Sequence, residues 1–186
     1  DSAGQWRYLN YREENALIQM DGALAQNSHI IGNSAGTLNA FPTIPINATS
    51  CRKMFYGCKS LENIDLSRFD TKNIVTMCCM FMNCKNLKQL DLSSFNTGNV
   101  REMTHMFSRC SNLEQINLSG LDTHNVEYMG QMFYRCKSLK QLDLSSFNTE
   151  KVLYMGEMFS NCKSLKQLDL SHFNTEKVVS MQYMFN

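Results

Sequence analysis

A period of 26 residues governs most of this 186-residue chain. Met-Phe pairs, a Cys column, two Leu columns and a Thr column all keep that step without slipping, and residues 136–160 match 162–186 at 19 of 25 aligned positions. A unit of this length cannot bury its own apolar side chains, so successive units must stack on each other. Residues 26 apart are therefore predicted to be neighbours in space.

Each unit contains two hydrophobic patterns. The L-x-x-L-x-L run ending at Leu170 alternates, which predicts a short strand with Leu168 and Leu170 facing inward. The second pattern has the three-and-four spacing of one helix face, after an Asn-Thr pair that can cap a helix: Val152, Met155, Met158, Phe159 and Cys162. The predicted fold class is α/β, a right-handed leucine-rich-repeat solenoid of about five coils with parallel strands on one face and short helices on the other.

The period also predicts the domain organisation. Residues 58–186 form five repeats with the last one truncated, and residues 38–57 form a degenerate first coil because Leu38 lies 26 before Ile64. Residues 1–37 are outside the repeat and predict an irregular N-terminal cap with a β-hairpin over the open edge. The last coil has no polar cap, so the chain is expected either to be a fragment of a longer array or to self-associate there.

Charge and hydropathy exclude some partners. With 18 Lys and Arg against 17 Asp and Glu, the net charge is +1, so no global field attracts nucleic acid. No run approaches 18 apolar residues, so no membrane span is expected, and the N-terminus lacks the pattern of a signal peptide. If the protein is exported, we expect its signal to have been removed.

The repeat unit resembles that of a known family. Its pattern C-x-x-L-x-x-L-D-L-S-x-F-[ND]-T-x-x-V-x-x-M-x-x-M-F, from about Ala48 to Asn186, is similar to the 26-residue repeat of bacterial surface proteins grouped with the BspA-like leucine-rich repeats. The resemblance implies an extracellular or cell-surface protein for adhesion or protein binding, without catalysis. Phe or Leu stands where ordinary leucine-rich repeats carry their Asn ladder: Phe69, Phe95, Leu121, Phe147 and Phe173.

The eight cysteines and the Thr column are expected to be structural. Five cysteines share one core column and are predicted to be buried free thiols: Cys58, Cys84, Cys110, Cys136 and Cys162. A bridge from Cys51 to Cys78 or Cys79 is left open. No C-x-x-C pair is present, so neither a metal nor a cofactor is expected. The Thr hydroxyls are predicted to be buried and to satisfy backbone groups.

One arrangement could support an enzyme. Cys79 and His105 are 26 apart and would stack as a thiolate dyad. A third orienting group is missing, since Gln131 and Glu157 continue that column, and a convex face offers no pocket. We therefore expect no enzymatic activity.

Two surfaces are candidates for binding. Variation between units is concentrated on the predicted helices, where one flank carries a candidate patch of binding hot-spot residues: Arg109, Tyr128, Arg135 and Tyr154. The outward strand positions form a concave polar ladder: Gln89, Asp91, Gln115, Asn117, Gln141 and Asp143. Both have a plainer interpretation, as side chains covering helix backs and as hydrogen-bonded ladders kept by repeat duplication.

These features together predict a non-catalytic recognition module that binds a protein or cell-surface ligand through an extended surface. The alternative is a structural spacer that presents another domain away from the cell wall. Variable helix positions favour binding, whereas nearly uniform strands favour a spacer.

Overall fold

The structure, a computed structural model, describes residues 37–38 and 48–186. Its four short strands are β1 (Thr37–Leu38), β2 (Asn63–Ile64), β3 (Gln89–Asp91) and β4 (Gln115–Asn117). Strand β1 pairs with β2 and β3 with β4, both parallel and with partners exactly one period apart, as in Thr37 opposite Asn63. Each 26-residue unit therefore forms one coil, and successive coils stack on each other.

A second line of parallel bridges runs along another face of the stack. Each bridge joins residues 26 apart, through Ser50, Thr76, Glu102, Tyr128, Tyr154 and Ser180. Neighbouring coils are thus hydrogen-bonded all along this bridge face, and also on the strand face where β1 pairs with β2 and β3 with β4.

The predicted helices are absent, and the α/β leucine-rich-repeat solenoid assignment is wrong. The described residues contain no helix, and the eight residues after each bridge position form consecutive turns: 51–58, 77–84, 103–110, 129–136 and 155–162. We call each of these a turn segment. In 103–110, alternate amides donate to carbonyls of the next coil at 2.6–3.0 Å, and three others donate three residues back at 3.0–3.1 Å. No α-helical hydrogen bond remains in this scheme.

Space explains why turns replace helices. An α-helix with its side chains is about 10–12 Å wide, whereas hydrogen-bonded parallel coils are about 4.8 Å apart. Direct backbone bonding between coils along the bridge face and the turn segments leaves no room for that width. Two residues of each complete turn segment also have left-handed backbone, such as His105 (φ 59°) and Arg109 (φ 64°), which breaks a right-handed helix.

The core consists of the repeated apolar columns. The Phe rings of successive coils stack with centroids 5.0–5.9 Å apart, from Phe55 to Phe185. The central members, such as Phe107 and Leu113, have no exposed surface. Apolar burial along the whole stack is the main source of its stability.

The Thr prediction is confirmed for four of the five column residues, whereas the fifth, Thr175, is exposed. The hydroxyls of Thr71, Thr97, Thr123 and Thr149 are buried and donate to a backbone carbonyl of the next coil at 2.8–3.0 Å. Three of them also accept an amide from the same residue of that coil at 2.7–2.8 Å. One hydroxyl thus joins two coils through both polar groups of a peptide backbone.

All eight cysteines are free, so Cys51 is not bridged to Cys78 or Cys79. Four of the five column cysteines are buried as predicted, and Cys162 is partly exposed. Column thiols donate to a Phe carbonyl in the preceding coil, for example Cys110 to Phe81 at 3.0 Å. Burial raises the pKa of Cys110 to about 12, so these thiols are neutral packing groups.

The domain boundaries stay predictions. Residues 1–36 of the predicted 1–37 cap, with its hairpin, lie outside the described residues, as do residues 39–47 of the degenerate coil. Leu38 pairs with Ile64 in the register of the repeat. Within residues 37–38 and 48–186, nothing forms a helix of the length and hydropathy that crossing a bilayer requires.

Candidate recognition surfaces

Tyr128 and Tyr154 form an exposed aromatic pair on the bridge face. Parallel bridging places them directly over each other, and their rings stack 5.5 Å apart at an interplanar angle of 7°. Tyr128 is 39% exposed and Tyr154 is 42% exposed, although both are large aromatic residues. Stacking fixes both rings, so a partner would bind them with little further loss of side-chain entropy.

Arg109 and Arg135 form a second group around Tyr134. Their guanidinium groups lie over the Tyr134 ring with centroid distances of 5.9 Å and 5.0 Å. Both arginines are exposed, and Tyr134 is half-buried. The contact is a cation-π arrangement that holds two positive charges of neighbouring coils on one ring.

The structure therefore brings the four predicted patch residues together as two pairs. Tyr128 directly precedes the turn segment 129–136. Arg135 lies near the end of that segment, seven residues later. The single helical flank that was predicted for them does not exist. Tyr134 was missed by the sequence prediction, because its column varies between Tyr, Met, Ser and Asn and gives no periodic signal.

The polar ladder lies on the strand face. Gln89 and Asp91 are on β3, Gln115 and Asn117 on β4, and these strands help to line a groove of about 440 Å³. Gln141 and Asp143 continue the ladder in the next coil, outside the strands, and are exposed. Gln89 donates to Asn63 at 3.2 Å, so part of the ladder is bonded to itself.

The acids of the ladder have a local structural role. Asp91 Oδ1 accepts the Ser93 amide at 2.9 Å, and the same contact, two residues along the chain, recurs in every coil of the ladder. The backbone hydrogen bond from Ser145 lowers the pKa of Asp143. These turns occupy one oxygen of each acid, and no cluster of three metal-ligating groups occurs among the described residues.

The structure does not assemble the Cys79 and His105 dyad. Cys79 Sγ lies 3.5 Å from Cys78 Sγ, and the described residues show no hydrogen bond between Cys79 and His105. Hydrogen bonding from Cys78 lowers the pKa of Cys79. His105 Nδ1 is buried without a hydrogen-bond partner, and burial lowers the pKa of this imidazole. A nucleophilic cysteine needs a base that hydrogen-bonds to its thiol. The thiol of Cys79 is instead next to the thiol of Cys78, and the neutral His105 imidazole is not bonded to it.

Comparison with known proteins identifies the family. A family model described as "Mycoplasma protein of unknown function, DUF285" matches residues 49–142 and 111–186, about three quarters of the chain. The chain belongs to this family. DUF285 proteins are grouped with the BspA-like repeat proteins. No curated protein and no solved structure matches the chain.

Proposed function

We propose that this DUF285 chain is a non-catalytic recognition module of an extracellular or cell-surface protein. It binds a protein or another surface component through the extended face of its stack, in the manner of an adhesin. We include in the proposal its assignment to the 26-residue repeat of bacterial surface proteins, which the unbroken period supports.

The exposed stack of Tyr128 and Tyr154 is the observation that carries this proposal. The equivalent positions in other described coils are Ser50, Thr76, Glu102 and Ser180, so the aromatic pair departs from the repeat. Core packing does not require these rings, since the polar residues occupy the same column of the same stack. Two rigid exposed tyrosines in contact are typical of a binding hot spot.

We expect the Tyr128→Ala/Tyr154→Ala double variant to bind its partner at least about 30-fold more weakly, because a hot-spot residue contributes about 2 kcal/mol. The parent chain is first screened against arrayed extracellular proteins and glycans. Hits are then measured by biolayer interferometry with the purified ligand.

Val75→Ala is the control, since Val75 is exposed and lies outside both the aromatic pair and the last coil. It should bind like the parent. Equal binding by the double variant and the parent would contradict a role for the pair. If no arrayed ligand binds the parent, the spacer becomes the better proposal, because the uniform strand positions already favour it.

The second partner proposal is self-association through the last coil. That coil exposes large apolar side chains, including Val179 at 70%, Tyr183 at 68% and Phe185 at 65%. Apolar surface of this kind is typical of contact sites between chains. The proposed partner is a second copy of this chain.

We expect this chain to sediment as a dimer, because exposed apolar side chains of this size mark contacts between proteins. The Val179→Ser/Phe185→Ser variant should sediment as a monomer, because it removes apolar side chains from the contact. Val75→Ser, an exposed Val of an inner coil, is the control and should leave the dimer intact. A monomeric parent would refute the contact.

A further inference from the structure

One edge of the stack carries positive charge without any acid. The edge comprises the column cysteine of each coil, the residue before it and the two after it: 57–60, 83–86, 109–112, 135–138 and 161–164. These twenty residues include no Asp and no Glu. We call their cations the basic edge: Lys59, Lys85, Arg109, Arg135, Lys137 and Lys163.

The charges of the basic edge are uncompensated. All six side chains are exposed, and none takes part in an ion pair within the described part of the chain. The acids of the adjoining column are already neutralised, because Glu62 pairs with Lys88 at 2.8 Å and Glu114 with Lys140 at 2.6 Å. A chain of net charge +1 therefore concentrates one sign of charge along a single edge.

Stacking arranges these cations in a line. Lys59 and Lys163 are four coils apart, which corresponds to about 20 Å along the stack axis at the spacing of parallel backbones. Every coil between them contributes at least one cation. A line of positive charge with a cation in every coil is complementary to a linear polyanion that lies along the axis.

The centre of the line has the best geometry for an oxyanion. Arg109 and Arg135 lie over one Tyr134 ring, so their guanidinium groups are held in adjacent coils. Guanidinium groups bind sulfate and phosphate oxygens through paired N–H donors. Asn86 and Ser138 directly follow Lys85 and Lys137, and Asn112 is the equivalent residue in the coil of Arg109. All three can hydrogen-bond to hydroxyl groups.

The composition of the edge distinguishes between classes of polyanion. Single-stranded nucleic acid needs exposed aromatic rings on which its bases stack. The twenty edge residues include none, and the neighbouring Tyr134 ring is half-buried and covered by Arg109 and Arg135. A protein partner needs an apolar anchor site, and the apolar side chains here are the inward-facing cysteines. Cations interspersed with hydroxyl and amide groups suit a hydrated, sulfated sugar chain best.

We propose that the basic edge binds a linear sulfated polysaccharide along the stack axis. This inference rests on the recognition role proposed above and assigns it a ligand class and a second surface. The edge is distinct from the stacked pair of Tyr128 and Tyr154, which lies at the other end of the turn segments.

The test uses heparin as the sulfated probe. We expect Arg135→Gln/Lys137→Gln to bind immobilised heparin about tenfold more weakly, and the log-log salt slope to fall by about two, because two ion contacts are removed. Lys72→Gln/Lys151→Gln, which removes two exposed lysines outside the edge, is the matched control and should retain parent affinity. Thermal unfolding should be unchanged in both variants, since all four side chains are exposed.

Competing ligands decide the class. Desulfated heparin, oligo-dT and poly-glutamate should compete poorly with heparin. Tighter binding of oligo-dT or poly-glutamate would overturn the polysaccharide assignment, and an equal loss in the control variant would show that net charge alone drives binding. Tyr128→Ala/Tyr154→Ala should leave heparin binding intact. If the edge variant binds heparin normally, the edge proposal fails while the aromatic pair keeps its own test.

Discussion

Phe107→Ala is expected to destabilise the stack by about 3–5 kcal/mol, the typical cost of removing a fully buried Phe ring. Phe107 has no exposed surface, and its ring stacks on Phe81 at 5.9 Å and on Phe133 at 5.4 Å. The variant therefore loses buried apolar area and leaves a cavity between two coils. Urea unfolding followed by circular dichroism measures the loss.

The position of Phe107 in the stack predicts a second effect. Each coil contacts only its neighbours, so a weakened central coil separates the stack into two halves that are coupled less strongly. We expect the unfolding transition to broaden as well as to shift. A shift without broadening would indicate that the coils unfold as one unit even when the central contact is lost.

Phe185→Ala provides the control in the same column. Phe185 also stacks on one neighbour, Phe159, at 5.8 Å, but it is 65% exposed. We expect this variant to lose no more than about 1 kcal/mol, the worth of one exposed aromatic contact. Equal losses in the two variants would contradict the picture of a continuous buried Phe column.

The sequence predicted the contacts between coils correctly because the period has no alternative interpretation. Residues such as Phe107 and Phe133 keep an exact step of 26, and only stacking can bury all of them at once. The Thr column followed from the same argument, since a hydroxyl in a buried column must find a backbone partner. In both cases the prediction depended on spacing alone.

The helix prediction failed because spacing alone does not identify the backbone. Inward residues three and four apart, such as Met103, Met106 and Phe107, are compatible with a helix or with consecutive turns. The turns here require left-handed backbone at residues such as His105 and Gln131, which are not glycine and give no signal. Their strain is offset by bonds to the next coil, including His105 N–H to Gly130 at 3.0 Å. A single unit does not contain that information.

The contacts of the candidate site could be predicted only where they follow the 26-residue period. The column rule correctly places Tyr128 next to Tyr154, because both are bridge residues one period apart. Residues seven apart share one face of a helix, so the helix prediction placed Arg135 beside Tyr128. Because no helix forms there, the two side chains are not paired. The contact of Arg109 with Tyr134 joins residues 25 apart, one position off the period, so column alignment could not reveal it.

Thr123→Val should destabilise the stack by about 2–6 kcal/mol although it preserves side-chain volume. The Thr123 hydroxyl donates to the Asn148 carbonyl at 2.9 Å and accepts the Asn148 amide at 2.7 Å. Valine can do neither, so two backbone groups lose their partner, at about 1–3 kcal/mol each. Urea unfolding gives the energy, and hydrogen exchange of the Asn148 amide should accelerate specifically.

Two further variants distinguish the contribution of the hydroxyl to stability from that of the methyl group and from that of the position in the stack. Thr123→Ser keeps the hydroxyl and loses only a methyl group, so it should cost about 1 kcal/mol and leave the Asn148 amide protected. Thr175→Val changes the exposed member of the same column, whose hydroxyl has no hydrogen bond in the described part of the chain, and should be nearly neutral. If Thr123→Ser proves as costly as Thr123→Val, the methyl group rather than the hydroxyl holds the coils together. The column would then be an apolar ladder, and polar bonding between coils would be confined to the backbone.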